Sequence, residues 1–348
     1  MNKKNAFDYF TYSEIKTQYS AWQQALSIIE QNKHALLSFF SESFDKIIFT
    51  GCGSTYYLSL AAASLFQQLT GISCIGVPAS ELLFFPQSIY IPNDNYLLIA
   101  ISRSGETTET LMAVEEFLIK RKGKVISITN YGDKPLATMG ELNFVITEGQ
   151  ELGIVETRAF TSLYVFTVAL ATIIGKRDDL LSKMWLLPEA GKELISKYEL
   201  FAKTIGEDLS IERFFFLGSG PRFGLACESD LKMKEMTLTH SEHFHFYEFR
   251  HGPMSMVKNS SFITAFISQS QHQNEDRVVM EMKNIGARTL TISQINADIL
   301  LLASIPEEIT NVLYLPIVHL MAYYRALAKK LNPDIPTNLV RVVKIGNN

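Results

Sequence analysis

The chain has 348 residues, of which 47% are hydrophobic. This length suits two domains of ordinary size, each with its own core. The formal net charge of −4 gives no electrostatic basis for binding nucleic acid. Three cysteines without paired or metal-type spacing are typical of a reducing compartment, and no apolar run is long enough to span a bilayer. We therefore expect a cytoplasmic protein that contacts neither nucleic acid nor membrane.

The first part of the chain alternates between helical and strand patterns. Residues 1–43 contain neither glycine nor proline, and their apolar residues recur at helical spacing, which predicts a helical segment. Continuous apolar runs at 46–50, 96–101 and 124–129 then alternate with helical patterns. Strands that are apolar on both faces are typical of a parallel sheet covered by helices on both sides. We predict an α/β fold with such a sheet.

The second half of the chain repeats this order of strands and loops. Gly218 lies 167 residues after Gly51, and Ser268 lies 166 residues after Ser102. A near-constant offset between matching strand ends indicates two copies of one α/β unit. The predicted organisation is a helical segment at 1–43, a first domain at 44–180, a helical linker at 181–205, a second domain at 206–335 and a tail at 336–348.

The second strand runs directly into Ser102-Arg103-Ser104-Gly105-Glu106-Thr107, and a helical pattern follows. The free N–H groups and the dipole of a helix amino terminus favour an anion, and this loop adds hydroxyl donors. Ligands of doubly wound sheets bind outside the carboxyl ends of neighbouring strands, where Thr55 also lies. The plainer interpretation, in which Ser and Thr only cap the helix, stays open for the motif alone. We predict a phosphate site formed by Thr55, Ser102, Arg103, Ser104 and Thr107.

Two glycine-containing turns resemble a dinucleotide fingerprint only in part. Gly51-Cys52-Gly53-Ser54-Thr55-Tyr56 and Gly218-Ser219-Gly220-Pro221-Arg222-Phe223 each carry an aromatic residue where the fingerprint has its third glycine. The Gly-Lys-Ser/Thr sequence of a nucleotide-binding phosphate loop is also missing. We therefore expect no nicotinamide or other cofactor.

The segment from Glu228 to Pro253 is rich in titratable residues. Lys232 and Glu235 lie one turn apart on a predicted helix, and His251 precedes Gly-Pro in a predicted turn. Aldose–ketose isomerisation needs a carboxylate that carries a proton between C1 and C2, and an acid or base that opens the sugar ring. Glu235 and His251 suit these tasks. The plainer interpretation of Glu235 is a solvated ion pair with Lys232.

Three further histidines, His240, His243 and His245, stand close together in this segment. Their spacing matches no common zinc signature, so we predict no metal site. The plainer interpretation of this cluster is the exposed end of a helix.

Taken in this order, the two Gly-Ser loops, Ser-x-Ser-Gly-Glu-Thr, Lys-x-Lys-Glu and His-Gly-Pro resemble the sugar isomerase (SIS) domain family. The tandem arrangement is similar to the isomerase half of glucosamine-6-phosphate synthase over nearly the whole chain. The resemblance implies two flavodoxin-like SIS domains related by internal pseudo-symmetry, each a parallel sheet sandwiched by helices. It also implies that the tail closes the active site.

The resemblance implies roles for the matching residues. Glu235 matches the isomerase base, and Lys232 matches a lysine of the sugar site. His251 matches the ring-opening histidine, which in that family reaches the site of the partner subunit, so a homodimer is implied. The five residues of the predicted phosphate site match phosphate-binding positions. The positions implied to contact the sugar are Gly53, Ser54, Glu151, Gly153, Ile154 and Arg341.

The sequence departs from the synthase in four respects. We see no glutaminase domain with an amino-terminal Cys nucleophile, and Arg103 replaces the usual Gln, which favours phosphate. Glu156 stands where the synthase has Ser and adds a carboxylate beside the sugar. Arg341 stands where the synthase has a tail lysine, and an arginine cannot form a Schiff base. Lys344 follows three residues later and need not replace that lysine.

These departures make the chain similar to stand-alone phosphosugar deaminases and deglycases. We expect an enzyme of amino sugar metabolism, a phosphosugar isomerase and deaminase that acts on an amino-sugar phosphate such as glucosamine 6-phosphate. Glu235, His251, Glu156 and Lys232 are its expected catalytic residues. Three alternatives stay open, namely a fructosamine 6-phosphate deglycase, a plain ketose/aldose phosphate isomerase and a non-catalytic sugar-phosphate sensor.

Overall fold

The computed structural model describes residues 7–343 and residue 345, so Lys344 lies outside the described residues. The chain divides into two compact units. The first unit comprises Gln18–Glu151, Arg158–Trp185 and the described residues from Val340 onward. The second unit comprises the described residues up to Thr17, together with Leu152–Thr157 and Leu186–Leu339.

Each unit contains one five-stranded sheet. The strands of the first unit are β1 (Lys46–Gly51), β2 (Cys74–Pro78), β3 (Tyr96–Ser102), β4 (Lys124–Thr129) and β5 (Leu142–Val145). The strands of the second unit are β6 (Arg213–Leu217), β7 (His240–Phe244), β8 (Ser261–Phe266), β9 (Arg288–Ser293) and β10 (Ile299–Leu300).

Helices precede, connect and follow these strands. The first seven α-helices are α1 (Phe10–Gln31), α2 (Lys33–Phe39), α3 (Ser54–Thr70), α4 (Ala79–Phe84), α5 (Thr108–Lys120), α6 (Arg158–Ile174) and α7 (Asp178–Met184). The remaining ones are α8 (Leu187–Glu207), α9 (Pro221–Thr237), α10 (Phe246–Phe249), α11 (His272–Ile285), α12 (Glu307–Thr310) and α13 (Leu315–Ala328). Short 3₁₀ helices occupy Pro86–Ser88, Pro135–Thr138, Thr147–Gly149, Pro253–Met256 and Asn311–Tyr314.

The two sheets have the same topology. The first has the order β2-β1-β3-β4-β5 and the second, read from its other edge, β7-β6-β8-β9-β10, and every pairing in both is parallel. This flavodoxin-like order places the carboxyl ends of the first and third strands of each sheet side by side. Thr50 of β1 pairs with Ala100 of β3, and Leu217 of β6 pairs with Ala265 of β8. The predicted fold class is confirmed.

The central strands are buried because both of their faces are apolar. Every residue of β3 and every residue of β8 is buried, so hydrogen bonds to neighbouring strands and flanking loops must satisfy their backbone polar groups. The three apolar runs at 46–50, 96–101 and 124–129 form β1, β3 and β4, each within one residue of the expected bounds. Helix α6 is buried along nearly its whole length. No helix among residues 7–343 is long and apolar enough to cross a membrane.

Two predicted helical regions differ in detail from the structure. The helix after the phosphate loop begins at Thr108, so Glu106 and Thr107 belong to the loop. The histidine cluster is not the end of a helix, because His240–Phe244 forms the edge strand β7 beside β6. Helix α9 ends at Thr237, and Leu238 then adopts a left-handed conformation with φ of 49° that turns the chain into this strand.

Candidate functional site

The predicted phosphate loop connects β3 to α5 in the first unit. Its three hydroxyl groups converge, since the Oγ of Ser102 lies 3.2 Å from the Oγ1 of Thr107, and the Oγ of Ser104 lies 3.4 Å from the same atom. The N–H groups of Gly105 and Glu106 donate to the hydroxyls of Ser102 and Ser104, at 3.1 and 3.3 Å. All these acceptors are uncharged, so a phosphate that replaced them would gain charge-assisted hydrogen bonds and the dipole of α5.

Gly105 gives this loop its shape. Its φ of +67° lies in the left-handed region. A Cβ at this position would lie 2.9 Å from both the Oγ1 of Thr129 and the Cβ of Lys134. Glycine is therefore required here for both its backbone conformation and its size.

The turn between β1 and α3 borders the loop because β1 and β3 are neighbours in the sheet. The hydroxyl of Thr55 accepts from the N–H of Cys52 and donates to its carbonyl oxygen, both at 2.9 Å. Ser54 and Thr55 are buried in the first turn of α3, and Gly53 has a φ of +56°. The structure therefore holds Gly53, Ser54 and Thr55 at the strand end where the sequence predicts them.

Arg103 has polar partners inside the first unit. Its side chain is 5% exposed, with Nη1 3.7 Å from the Oε2 of Glu151 and Nη2 donating to the carbonyl oxygen of Arg341 at 3.1 Å. Arg341 in turn donates to the carbonyl oxygen of Glu151 at 2.6 Å. The structure thus brings Arg103, Glu151 and Arg341 together. The predicted bidentate contact of Arg103 with phosphate stays a prediction, and Glu151 offsets its charge.

The acid–base residues on α9 belong to the second unit. Lys232 is fully buried, and its Nζ lies 2.6 Å from the Oε2 of Glu235 and 3.2 Å from the Oε1 of Glu228. Glu228 is also fully buried, whereas the Glu235 side chain is 21% exposed. The pair of Glu235 with Lys232 is therefore not a solvated surface ion pair. The buried ammonium orients Glu235, which is the carboxylate that a ligand can reach.

Burial raises the pKa of Glu228 to about 8, although the nearby ammonium of Lys232 opposes the shift. Burial also acts to lower the pKa of Lys232, but the carboxylates of Glu228, Glu235 and Glu156 outweigh it and raise that pKa. The charge of Glu156 acts on both Glu228 and Lys232. Glu156 therefore lies within electrostatic reach of the α9 cluster, as its predicted catalytic role requires.

The segment Leu152–Thr157, which carries Ile154 and Glu156, is held by residues from distant parts of the second unit. The Oε1 of Glu14 accepts from the N–H groups of Leu152 and Gly153, at 2.5 and 3.2 Å. The carbonyl oxygen of Asp334 accepts from the N–H of Ile154 at 3.0 Å. The carboxylate of Asp334 accepts from the N–H and hydroxyl of Thr11. These hydrogen bonds hold the segment Leu152–Thr157 in one position within the second unit.

His251 lies in an exposed turn after α10, and its N–H donates to the carbonyl oxygen of Glu248 at 3.0 Å. His243 and His245 each contact a different residue. The Nδ1 of His243 lies 2.7 Å from the Oδ2 of Asp230, and the ring of His245 stacks on Phe223 with centroids 3.8 Å apart. Within residues 7–343 no group of three His, Cys, Asp or Glu side chains is arranged to hold a metal ion.

Three positioning residues of the second unit were missed by the sequence analysis: Glu228, Glu14 and Asp334. Glu228 had a detectable signal, because it lies four residues before Lys232 on the same helix face. Glu14 and Asp334 had none, since their partners are far away in sequence.

The chain resembles a known domain family and several known proteins. Residues 41–173 match the SIS domain family. The chain is 29% identical over 324 residues to a glutamine–fructose-6-phosphate aminotransferase of Sulfurisphaera tokodaii, covering 91% of this chain and 51% of that relative. It is also 29% identical to the aminotransferase of Thermococcus kodakarensis, covering 99% of this chain and 59% of the relative. The chain thus spans little more than half the length of the curated relatives it matches.

Two solved structures are similar over nearly their whole length. Glucosamine-6-phosphate deaminase of Thermotoga maritima is 27% identical, with a TM-score of 0.77 over 96% of this chain and 99% of that one. Tagatose-6-phosphate ketose/aldose isomerase of Escherichia coli, at 22% identity, shares the fold with a TM-score of 0.86 over 97% and 98% of the two chains.

Proposed function

We propose that the chain is a member of the SIS domain family, whose model matches residues 41–173, and that it is a phosphosugar isomerase and deaminase acting on an amino-sugar phosphate such as glucosamine 6-phosphate. One observation carries the proposal. The buried ammonium of Lys232 lies between the carboxylates of Glu228 and Glu235, and Glu235 remains partly exposed. Such an arrangement suits a carboxylate that exchanges a proton with a bound sugar.

In this proposal the loop Ser102–Thr107 binds the phosphate group. The three converging hydroxyls, the N–H groups of the loop and the amino terminus of α5 provide donors for a dianion. The phosphate is not altered by the reaction, so its binding energy serves to position the sugar. Thr55 contributes from the adjoining turn, and Arg103 adds a positive charge that Glu151 partly offsets.

The proton transfer is assigned to Glu235. After the sugar ring has opened, with His251 as the acid and base, the Glu235 carboxylate removes the proton from C2 of the aldehyde form. Glu235 then delivers a proton to C1, while O1 gains a proton and the nitrogen loses one, which leaves a hydroxyl at C1 and an imine at C2. Lys232 holds Glu235 in place during both steps through the 2.6 Å contact.

Loss of ammonia completes the reaction. Water adds to the C2 imine to give a carbinolamine, and the C2–N bond then breaks as the nitrogen leaves with a proton. The products are ammonia and the 2-keto sugar phosphate, so one water is consumed for each ammonia released. Glu156, whose charge acts on Lys232, is assigned to activate the water or to protonate the leaving nitrogen.

The direct test is to incubate the protein with glucosamine 6-phosphate in D₂O and to measure ammonia, fructose 6-phosphate and deuterium at C1. We expect ammonia and fructose 6-phosphate in equal amounts, with deuterium at C1 because the proton on Glu235 exchanges with solvent. Parallel reactions contain fructoselysine 6-phosphate, glucose 6-phosphate and tagatose 6-phosphate. Preference for the first would make the protein a deglycase, and turnover of the others without amine release would make it a plain isomerase.

A measurement of sugar-phosphate binding tests the remaining alternative, a non-catalytic sensor. If none of these compounds is turned over while a sugar phosphate still binds, the enzyme assignment is wrong and the chain is a sensor. If no sugar phosphate binds at all, the assignment of the loop is wrong as well.

We further propose a homodimer in which His251 completes the partner's site. The test mixes Glu235→Gln and His251→Ala proteins, each inactive alone, and allows the subunits to exchange. Half of the random dimers are mixed and each has one intact site, so about a quarter of the wild-type activity should return. A mixture that stays inactive would place His251 in the site of its own chain.

A further inference from the structure

The loop after β8 corresponds to the phosphate loop after β3, and its Gln271 N–H donates to the hydroxyl of Ser268 at 2.9 Å, but three of its N–H groups bind carboxylates. The N–H of Ser268 donates to the Oε2 of Glu275 at 2.6 Å. The N–H groups of Gln269 and Ser270 donate to the Oε1 and Oε2 of Glu307, at 2.8 and 3.1 Å. A carboxylate that receives two successive backbone N–H groups occupies the position that an oxyanion takes in such loops.

A buried arginine points to the same carboxylate. Arg222 lies 167 residues after Thr55, so it is the counterpart of that threonine in the first turn of α9. It is only 8% exposed, and its Nη1 lies 3.1 Å from the Oε1 of Glu307. Its Nε has no hydrogen-bond partner among the described residues. Backbone N–H groups and a buried arginine together form the donor set of a phosphate site.

Glu307 is held firmly in this position. It is the first residue of α12 and follows Pro306. The segment before it is fixed by Gln294, whose Nε2 donates to the carbonyl oxygens of Leu302 and Ile305, at 3.1 and 2.6 Å. Ile305 itself is fully buried. These contacts describe a permanent occupant and not a segment that opens and closes.

We propose that the loop of the second unit is an anion site whose ligand is the Glu307 carboxylate of the same chain. The chain therefore has one loop open to a phosphate group and one that is internally filled, and removal of the Glu307 carboxylate turns the second loop into a site for phosphate. A cavity of about 390 Å³ adjoins it, lined by Gln269, Ser270, Gln271, His272, Asn274 and Asn296, and gives a small anion access.

Glu275 limits the affinity that such a site would gain. Its carboxylate stays beside the loop after Glu307 is removed, and it would repel a second anion. Replacing it by Gln keeps an oxygen for the N–H of Ser268 and removes the charge. We therefore expect phosphate binding to increase from wild type to Glu307→Ala and again to the double variant Glu307→Ala/Glu275→Gln.

The test measures binding of radiolabelled inorganic phosphate by equilibrium dialysis. All proteins carry Ser104→Ala and Thr107→Val, which weaken the first loop, and only phosphate bound beyond the level of the protein with these two changes alone is assigned to the second loop. The matched control is Glu308→Ala, which removes the neighbouring carboxylate of α12 without touching the loop contacts. We expect one phosphate per chain in both Glu307→Ala proteins, displaced by sulfate but not by chloride, and none in the control. Equal binding in all four proteins would overturn the proposal.

A stability measurement covers the case in which Glu307→Ala folds poorly. Melting temperatures are compared in phosphate and in chloride of equal ionic strength. We expect phosphate to restore most of the stability lost by Glu307→Ala and to leave Glu308→Ala unchanged. A loss that phosphate does not restore would also overturn the proposal. Neither measurement depends on the reaction, so the inference and the proposed enzyme can fail independently.

Discussion

The two loops that follow β3 and β8 occupy the same place in two sheets of identical topology, yet they differ in what their N–H groups bind. In the first loop, Gly105 and Glu106 donate to neutral serine hydroxyls, which a phosphate can displace. In the second, Gln269 and Ser270 donate to Glu307. A repeated fold therefore does not imply a repeated ligand site. The charge of the acceptor is what distinguishes an open loop from a filled one.

The helices that follow the first strand of each sheet, α3 and α9, also differ, and here it is the second unit that carries the charged residues. In α9, Glu228, Lys232 and Glu235 form the charged cluster. The residues 167 positions earlier in α3 are Ala61, Leu65 and Gln68, of which the first two are buried in the apolar core. The first unit thus has the loop that we propose to bind phosphate and an apolar helix, and the second has the filled loop and the helix that we propose to carry the acid–base residues. Substitutions in each copy test this division of roles.

The largest effect is expected for Glu235→Gln. The amide cannot accept the C2 proton but resembles Gln68 of the first copy, so kcat for ammonia release should fall by about 10²- to 10⁴-fold. The melting temperature should also fall, because Glu235→Gln removes one of the two carboxylates beside the fully buried ammonium of Lys232, so kcat is measured on the folded protein.

The control is Glu193→Gln, which removes an exposed carboxylate from α8 of the same unit and should leave kcat unchanged. If the Glu235→Gln protein kept its full rate, the proton transfer would have to be assigned to another residue.

The next effect is expected in the first loop. Ser104→Ala combined with Thr107→Val removes two hydroxyls, and a lost hydrogen bond to a charged group costs about 1.5–3 kcal/mol. KM for the sugar phosphate should rise by at least about tenfold for each hydroxyl that contacts the phosphate, with a smaller change in kcat.

Ser270→Ala makes the corresponding change in the filled loop and should leave KM unaltered. A KM that rose equally in both loops would remove the distinction between them.

The sequence was sufficient to predict the parallel sheets, their repeat and the position of the loop Ser102–Thr107 between a strand and a helix, because continuous apolar strands and glycine-containing strand ends are local signals. The short strand β7, His240–Phe244, was missed because an edge strand with one apolar residue has no such signal. The role of Glu307 was hidden for a different reason. Its partners Gln269 and Arg222 are 38 and 85 residues away in sequence, and local spacing does not reveal contacts of that range.

A further effect concerns the pH dependence of stability. The pKa of Glu228 is raised by burial to about 8, above the value of an unfolded carboxyl group, so the folded state binds the extra proton. The resulting stability is complete at acid pH and is lost as the pH rises towards about 8, with a slope of up to about 1.4 kcal/mol per pH unit. Glu228→Gln cannot titrate, so its free energy of unfolding should depend less on pH in this window.

Urea unfolding of both proteins at pH 5, 6.5 and 8 measures the difference. Ala61→Val in the first copy provides a control that alters the matching helix without adding a titratable group, and its pH slope should equal that of wild type. Parallel slopes for wild type and Glu228→Gln would mean that Glu228 is already ionised in the folded protein.

The smallest effect is expected from substitutions that test the difference in backbone conformation between the two loops. Gly105 has a φ of +67°, and a Cβ there would lie 2.9 Å from Thr129, so Gly105→Ala should lower the free energy of unfolding by about 1–3 kcal/mol. The corresponding residue of the filled loop is Gln271, whose φ of −116° suits any side chain, and Gln271→Ala should change stability by less than about 0.5 kcal/mol. Because the left-handed turn at Gly105 holds the three hydroxyls together, Gly105→Ala should also raise KM for the sugar phosphate. If Gly105→Ala changed stability but not KM, the left-handed turn would serve only the fold, and the convergence of Ser102, Ser104 and Thr107 would not depend on it.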